Sequence, residues 1–190
     1  MLLLVGLGNP GSTYTNTRHN IGFKIIDAIN AQFKLSKQKP KFKGLLTTGN
    51  IEEKKIYAIK PLTFMNNSGT AIKELIDYFK IDAKNVFVFH DDMDIDFGKI
   101  KAKFGGSSAG HNGIESIDKF IGKDYSRVRI GIGHPKQKKK VNSHVLEDFK
   151  EDEEEKINEI AENIVKQLPT LIEKKIDLFS SKVNQDLNGI

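Results

Sequence analysis

A histidine and a group of carboxylates are the residues of this sequence best suited to activate water. His19 lies in the stretch TRHN, on a loop before the first helical pattern. An imidazole titrates near neutral pH, so it is a candidate general base, although a lone loop histidine can equally be a cap or a surface residue. A single aspartate at a strand end, aimed at His19, would fix the imidazole tautomer and stabilise the imidazolium.

The stretch HDDMDID at residues 90–96 is the source of such a carboxylate. Its side chains also resemble the ligands of a hard cation. Alternate residues of a strand face opposite ways, however, so His90 and Asp91 would diverge. A tight turn at DIDFG explains Asp94 and Asp96 without a metal. The chain has no cysteine, which excludes disulfides, thiol catalysis and cysteine-based zinc sites.

Residues 6–11 read GLGNPG, a G-x-G-x-x-G directly after the apolar run LLLV. A dinucleotide site needs a helix that opens within the glycine turn, because the pyrophosphate lies at the helix N-terminus. The polar stretch STYTNTRHN follows instead, and the helical pattern begins only near Ile21. Asp27, the acidic residue nearest the expected position, falls inside that helix. We therefore expect no dinucleotide site.

Residues 106–110 read GSSAG, the pattern of a nucleophile elbow, between a predicted strand and a predicted helix. Ser108 would be the nucleophile, followed in chain order by Asp118 or Asp124 and by one of two later histidines, His134 or His144. The preceding strand KIKAKF is charged, whereas an elbow strand is usually apolar throughout. A serine esterase stays open as an alternative.

Three asparagines fall on three separate loops of the predicted site, namely Asn9, Asn66 and Asn112. An amide offers donors and an acceptor without acid–base chemistry, which suits it to hold a water or a carbonyl. Each of them alone is more commonly a turn or cap residue. Asn66 and Asn67 stand at a predicted helix start, where capping is expected.

The charge of the 190-residue chain is unevenly distributed about a net +5. Residues 1–144 carry 24 basic and 13 acidic side chains, whereas residues 145–190 carry 6 and 12. Basic clusters at 34–43 and 134–140 fit either a polyanionic partner or solvated lysines. The first residues lack the basic segment and the length of a signal peptide or a membrane span, so we expect a soluble cytoplasmic protein.

Strands and helices alternate in the hydrophobic pattern. Strands are predicted at residues 2–6, 45–51, 55–60, 86–89, 99–104 and 127–133, and helices at 21–33, 68–79, 112–121 and within the stretch from 151 to about 180. A hairpin in NIEEKKIYAI requires one antiparallel pair, so the sheet is mixed, with helices on both faces. Ligands of such folds lie beyond the carboxyl ends of the strands, where all four informative loops are expected.

Taken together, these loops resemble one family. The stretches GLGNPGSTYTNTRHNIGF, KPLTFMNNSG, HDDMD, GGSSAGHNGIESI and RVRIGIGHP are similar, in that order and spacing, to bacterial peptidyl-tRNA hydrolase. The resemblance covers residues 1 to about 150 and weakens in the C-terminal helical stretch. It implies an enzyme that hydrolyses the ester between a peptide and the ribose of tRNA and so recycles tRNA from prematurely released chains. It also implies a monomer without cofactor or metal, and a single domain over residues 1–190 with a three-layer α/β/α sandwich around a twisted mixed sheet.

The resemblance also implies roles for individual residues. His19 is the base and Asp91 its orienting carboxylate. The other positions that it implies are the polar cleft wall of Asn9, Asn66 and Asn112, the apolar lining of Tyr14, Phe64 and Met65, and a phosphate-binding pair of Lys103 and Arg129. GGSSAG corresponds to a mobile loop beside the cleft. Besides the serine esterase, a non-catalytic RNA-binding module stays open, in which the charge matters and His19 does not.

Overall fold

The computed structural model describes residues 1–135 and 141–189, in which strands and helices alternate as predicted. The strands are β1 (Leu2–Gly6), β2 (Lys39–Lys41), β3 (Gly44–Ile51), β4 (Lys54–Pro61), β5 (Val86–Asp92), β6 (Ile100–Phe104) and β7 (Ser126–Gly131). The α-helices are α1 (Ile21–Gln32), α2 (Ser68–Phe79), α3 (Asn112–Ile121), α4 (Val141–Leu146), α5 (Glu151–Ile172) and α6 (Ile176–Asn188).

The strands form one mixed sheet in the order β2-β3-β4-β1-β5-β7-β6, which confirms the predicted fold class. The four central strands β4, β1, β5 and β7 run parallel. The outer strands β3 and β6 pair antiparallel to them, and β2 pairs antiparallel to β3. The carboxyl ends of the central strands therefore share one edge, called here the carboxyl edge.

Two apolar clusters, one on each face of the sheet, hold the helices against it and so give the molecule three layers. One joins a sheet face to α1, α5 and α6, and the other joins the opposite face to α2 and α3. All five residues of β1 are buried, as expected for a parallel strand covered on both faces.

Several element boundaries differ from the predicted ones. β2 lies within the basic cluster at 34–43 and has three exposed residues, so only its backbone pairing defines it and no apolar alternation predicts it. β5 extends to Asp92 because Arg129, Ile130 and Gly131 of β7 pair with its last residues. The C-terminal stretch forms two helices that continue to Asn188. Lys174 separates them in the left-handed conformation, with φ 64°. Most of the second basic cluster, residues 136–140, lies outside the described residues.

The direction of β6 corrects one expectation. Phe104, its last residue, pairs with Ser126, the first residue of β7, so β6 ends at the edge opposite the carboxyl edge. The glycine-rich segment 105–111 must therefore cross the height of the sheet to bring His111 to Asp91. Strand alternation fixes which face a side chain occupies, but it does not fix the direction in which a strand runs.

The segment after β1 forms two 3₁₀ turns, Ser12–Tyr14 and Arg18–Asn20, before α1 begins. No helix opens within the glycine run, as the sequence predicts, and Asp27 lies inside α1, where it pairs with Lys60. None of the described helices is both long and apolar enough to cross a membrane.

Gly22 sets how closely α1 approaches the sheet behind His19. A Cβ at this position would lie 2.3 Å from the Leu7 amide nitrogen and 2.4 Å from the Phe89 carbonyl oxygen. Both obstructing atoms belong to the backbone, so neither can rotate away.

Gly22→Ala should lower the free energy of unfolding by roughly 3 kcal/mol, the upper range for overpacking, because the helix must move off the sheet. Thermal and denaturant unfolding measure the effect. Helix propensity alone favours alanine by about 1 kcal/mol, so an unchanged or raised stability would contradict this close approach.

Candidate active site

Asp91 is the centre of a cluster of polar side chains at the carboxyl edge. It lies near the end of β5 and is only 2% exposed. His19 Nδ1 donates to its carboxylate at 2.9 Å, and His111 Nε2 lies 3.0 Å from Oδ1. The structure thus brings together the two residues expected to form a base and its orienting carboxylate, from positions 72 apart in sequence.

The two imidazoles keep Asp91 ionised. Burial alone would raise the pKa of this carboxyl, but the charges and hydrogen bonds of His19 and His111 outweigh it and hold the pKa well below its usual range. The pKa of His19 is raised in turn. Burial opposes its charged form, and the attraction and hydrogen bond of Asp91 more than offset that cost.

A buried arginine holds the turn that carries His19. Arg18 is 3% exposed, and its guanidinium lies 2.9 Å from Glu153 of α5. It also donates to the carbonyls of His144 and Glu147, at and just beyond the end of α4. Arg18 therefore fastens the turn that carries His19 to both α4 and α5.

His111 completes the cluster, although the sequence interpretation did not select it. Its Nδ1 accepts hydrogen bonds from the amides of Gly113 and Ile114 at the start of α3. Since Nδ1 accepts, the ring proton of the neutral imidazole must be on Nε2, which faces Asp91. Its position just before a predicted helix could have indicated a capping residue. Helix N-caps are usually serine, threonine, aspartate or asparagine, however, so a histidine there does not suggest one.

Ligand atoms of His19, Asp91 and His111 lie within 4.8 Å of one another, close enough to raise the question of a metal. The hydrogen bonds of His111 argue against it. Because Nδ1 accepts two amides, the ring proton is on Nε2, the nitrogen that faces Asp91. A ring nitrogen that carries a proton has no lone pair for a metal. In the HDDMDID stretch, Asp92 accepts the amide of Asp94 and Asp94 pairs with His134. The turn thus explains Asp94, as expected.

Asn9 has a fixed amide orientation. Its Oδ1 accepts the Met65 amide at 2.8 Å, and its backbone is held by two hydrogen bonds to the Asn20 side chain. With Oδ1 occupied, the remaining amide group of Asn9 is a donor, Nδ2.

Asn66 and Asn112 do not cap the helices that they precede or begin. The N-cap of α2 is Asn67, without a side-chain cap bond, and the N-cap of α3 is His111. Both Asn66 and Asn112 are exposed, and in the described part of the chain neither side chain forms a hydrogen bond. Asn67 thus occupies the predicted helix start, but its side chain makes no capping hydrogen bond, and Asn66 lies in the 3₁₀ turn Met65–Asn67 that precedes α2.

A cleft of about 260 Å³ lies against His19. It is lined by predicted site residues together with α4, namely Asn9, His19, Phe64, Met65, Asn66, Asn112, Asn142, Val145 and Leu146. Phe64 is 61% exposed, so its ring is available to a ligand in the cleft. Tyr14 is half-buried and lies outside this cleft.

Ser108 is not arranged as a nucleophile. Its hydroxyl donates to Glu115 at 3.3 Å. The candidate partners are engaged elsewhere: Asp118 binds Arg127 and Tyr125, and His144 lies against the Ile132 carbonyl. The strand before Ser108 also ends at the wrong edge of the sheet for an elbow.

Lys103 and Arg129 lie on the same face of the β6–β7 pair, outside the cleft. Arg129 Nε donates to Asp92 at 2.7 Å, so part of its guanidinium is already paired. Lys103 forms no ion pair with any residue in 1–135 or 141–189. Burial, followed by the nearby charges of Arg129 and Arg127, lowers the pKa of Lys103.

Comparisons with known proteins point to one family. A family model described as peptidyl-tRNA hydrolase matches residues 3–189. A peptidyl-tRNA hydrolase of Pelagibacter ubique is 72% identical over 184 residues, which cover 97% of this chain and 99% of that protein. One of Ehrlichia canis is 46% identical over 185 residues, or 97% and 95% of the two chains. The crystal structure of peptidyl-tRNA hydrolase from Acinetobacter baumannii has a TM-score of 0.90 at 34% identity, covering 97% of this chain and 94% of that one.

Titration of His19 tests the electrostatics of the cluster. We expect a His19 pKa above the ordinary 6.5 in the wild type. In Asp91→Asn the charge that raises it is gone while burial remains, so the pKa should fall below 6.5. NMR titration of the imidazole resonances measures both values.

Asp94→Asn is the matched control, because it removes an exposed carboxylate of the same loop that pairs with His134. It should leave the pKa of His19 unchanged from the wild type. An equal shift in the two variants would show that Asp91 does not set the charge state of His19.

Proposed function

The chain belongs to the peptidyl-tRNA hydrolase family, and we propose that it hydrolyses the ester between peptide and tRNA ribose with His19 as general base. Such an activity would recycle tRNA from prematurely released chains. The observation that carries the mechanism is the direction of the His19 ring. Nδ1 is bound to Asp91, which leaves the basic Nε2 for the cleft, and in residues 1–135 and 141–189 no group bonds to Nε2.

In the first step Nε2 of His19 removes a proton from water as the water oxygen attacks the ester carbonyl. The imidazolium that forms is stabilised by Asp91, which stays ionised. When the tetrahedral intermediate collapses, the ribose oxygen leaves and takes the proton from Nε2. The products are a peptide with a free carboxyl group and a tRNA with a free hydroxyl. An ester has a reasonable leaving group, so neither a metal nor a covalent intermediate is required.

Asn9 is the side chain best suited to stabilise the oxyanion. Its Oδ1 is turned toward the Met65 amide, so Nδ2 is the group of this side chain best placed to donate in the cleft. A donor that is held in place before the reaction costs little reorganisation when the charge develops. Asn66 and Asn112 can each donate and accept, which suits them to hold the attacking water and the substrate amides.

His111 is assigned a positioning role. The start of α3 fixes its tautomer, and its Nε2–H donates to the same Asp91 oxygen that His19 binds. Two donors on one buried carboxylate restrict its rotation, and this keeps the His19 ring directed at the cleft.

The basic face of β6 and β7 is proposed to hold a tRNA phosphate. Lys103 contributes an unpaired ammonium, and Arg129 contributes the part of its guanidinium that Asp92 leaves free. Backbone contacts of this kind supply affinity without sequence readout, which suits an enzyme that acts on many tRNAs.

His19→Ala should lower kcat on N-acylated aminoacyl-tRNA by roughly 10²- to 10⁴-fold, the range for a lost general base. Ser108→Ala is the comparison and should keep activity within about three-fold, because its hydroxyl donates to the carboxylate of Glu115 at the surface and not to a histidine. EDTA should change neither result. Loss of activity in Ser108→Ala but not in His19→Ala would favour the esterase mechanism, and absence of activity in the wild type would favour the non-catalytic RNA-binding module.

Lys103→Ala and Arg129→Ala should raise KM for full-length peptidyl-tRNA and reduce its salt dependence by somewhat under one unit of slope per contact. Cleavage of a short peptidyl-nucleotide fragment should not change, because it lacks the contacted phosphate. Equal losses on both substrates would mean that these residues support the fold or the chemistry.

A further inference from the structure

A second pocket, called here the side pocket, lies beside the cleft and is unused by the proposed mechanism. It has a volume of about 530 Å³ and opens between the first turns of α1 and the adjoining ends of β3 and β4. Its walls include Asn9, Pro10, Phe23, Leu45 and Leu62, and Lys60 lies at its base.

Three apolar side chains of this pocket belong to neither hydrophobic core. Phe23, Leu45 and Leu62 are absent from both clusters of the described residues. Leu62 is 41% exposed, and Phe23 and Leu45 are half-buried. Apolar side chains that converge on one opening without packing into a core are typical of a binding surface.

The charges at the base of the side pocket are paired with each other. Lys60 is 8% exposed, its Nζ lies 2.5 Å from Asp27 Oδ1, and the same oxygen accepts Gln38 Nε2. The ammonium also lies 5.7 Å from the centre of the Phe23 ring. This ion pair is satisfied within the protein, so it leaves the apolar walls open to a ligand. The rest of the lining adds polar side chains, among them those of Ser12, Thr15, Asn16 and Lys24, and such a mixture of apolar walls and a few polar groups is usual in binding pockets.

Asn9 separates the side pocket from the cleft and lines both. Its hydrogen bond to the Met65 amide joins the two loops on either side, with Phe64 facing the cleft and Leu62 facing the side pocket. A peptide whose ester lies at His19 has to pass Asn9 to reach the side pocket. Each further residue extends the chain by about 3.3–3.6 Å, so residues upstream of the ester can cross this partition.

The basic residues and the side pocket lie on opposite flanks of the sheet, which indicates how the substrate is oriented across the site. Lys103 and Arg129 lie on β6 and β7, on one side of the central pair β1 and β5, whereas the side pocket lies at β3 and β4, on the other. If the tRNA is held on the basic flank, the peptide leaves His19 toward the opposite flank.

We propose that the side pocket is a subsite for an apolar side chain of the nascent peptide, from the residue preceding the C-terminal one. This inference rests on the proposed function and deepens it. Phe23, Leu45 and Leu62 contact the side chain at this position of the peptide, while the ester lies at His19.

Two substrates that differ only at this position test the subsite: N-acetyl-leucyl-phenylalanyl-tRNA and N-acetyl-glycyl-phenylalanyl-tRNA. The wild type should favour the leucine substrate by roughly 10-fold in kcat/KM, the discrimination that a hydrophobic pocket supplies. In Leu62→Ala and in Leu45→Ala this ratio should fall to about three-fold or less, because part of the pocket wall is removed. A ratio within one variant is independent of any general loss of activity or of folded enzyme.

Leu178→Ala is the matched control, since Leu178 on α6 has nearly the same exposure, 44%, as Leu62 and lies far from the pocket in the sequence and outside its lining. It should keep the wild-type ratio. Equal kcat/KM for the two substrates in the wild type overturns the subsite, and so does a ratio that both pocket variants leave unchanged. Failure of the wild type to cleave either substrate would overturn the proposed function itself, which distinguishes the two conclusions.

Discussion

The buried charge of Asp91 is the constraint on which the site depends. A carboxylate that is only 2% exposed is tolerated only where donors replace its lost water, and here two imidazoles supply them. Each imidazole is in turn fixed by a different part of the fold: His19 by the turn that Arg18 fastens, and His111 by the first amides of α3. The carboxylate therefore both requires and orients its neighbours, so stability and chemistry share the same hydrogen bonds.

The second constraint is the contact between the two loops that carry Asn9 and Met65. One hydrogen bond joins them, and the Asn20 side chain holds the backbone of Asn9 from the other side. These hydrogen bonds hold the loop of Asn9 against the loop of Met65 and turn the Asn9 Oδ1 toward the Met65 amide. The fold can thereby assign different tasks to chemically identical asparagines.

The sequence predicts the mixed sheet and both helix layers, because buried strands and helices have distinct periods. The pairing of His19 with Asp91 is implied by the resemblance of the loops to one family. The sequence does not predict the direction of β6, since the alternation of side chains is the same whichever way a strand runs. It therefore does not reveal that residues 105–111 cross the sheet. His111 was missed because an imidazole is an uncommon cap. β2 and α4 were missed because one is entirely exposed and the other has only six residues. The orientation of the Asn9 amide depends on a contact with Met65, 56 positions away, which no local pattern contains.

The ion pair between Arg18 and Glu153 joins residues 135 positions apart. During synthesis the chain emerges from its N-terminus, so the turn that carries His19 exists long before the residue that fastens it. Arg18 can pair with Glu153 only once residue 153 has been added. An enzyme of this family is itself made as a peptide esterified to tRNA, so this contact is added to the turn that carries His19 only when most of its own chain has been made.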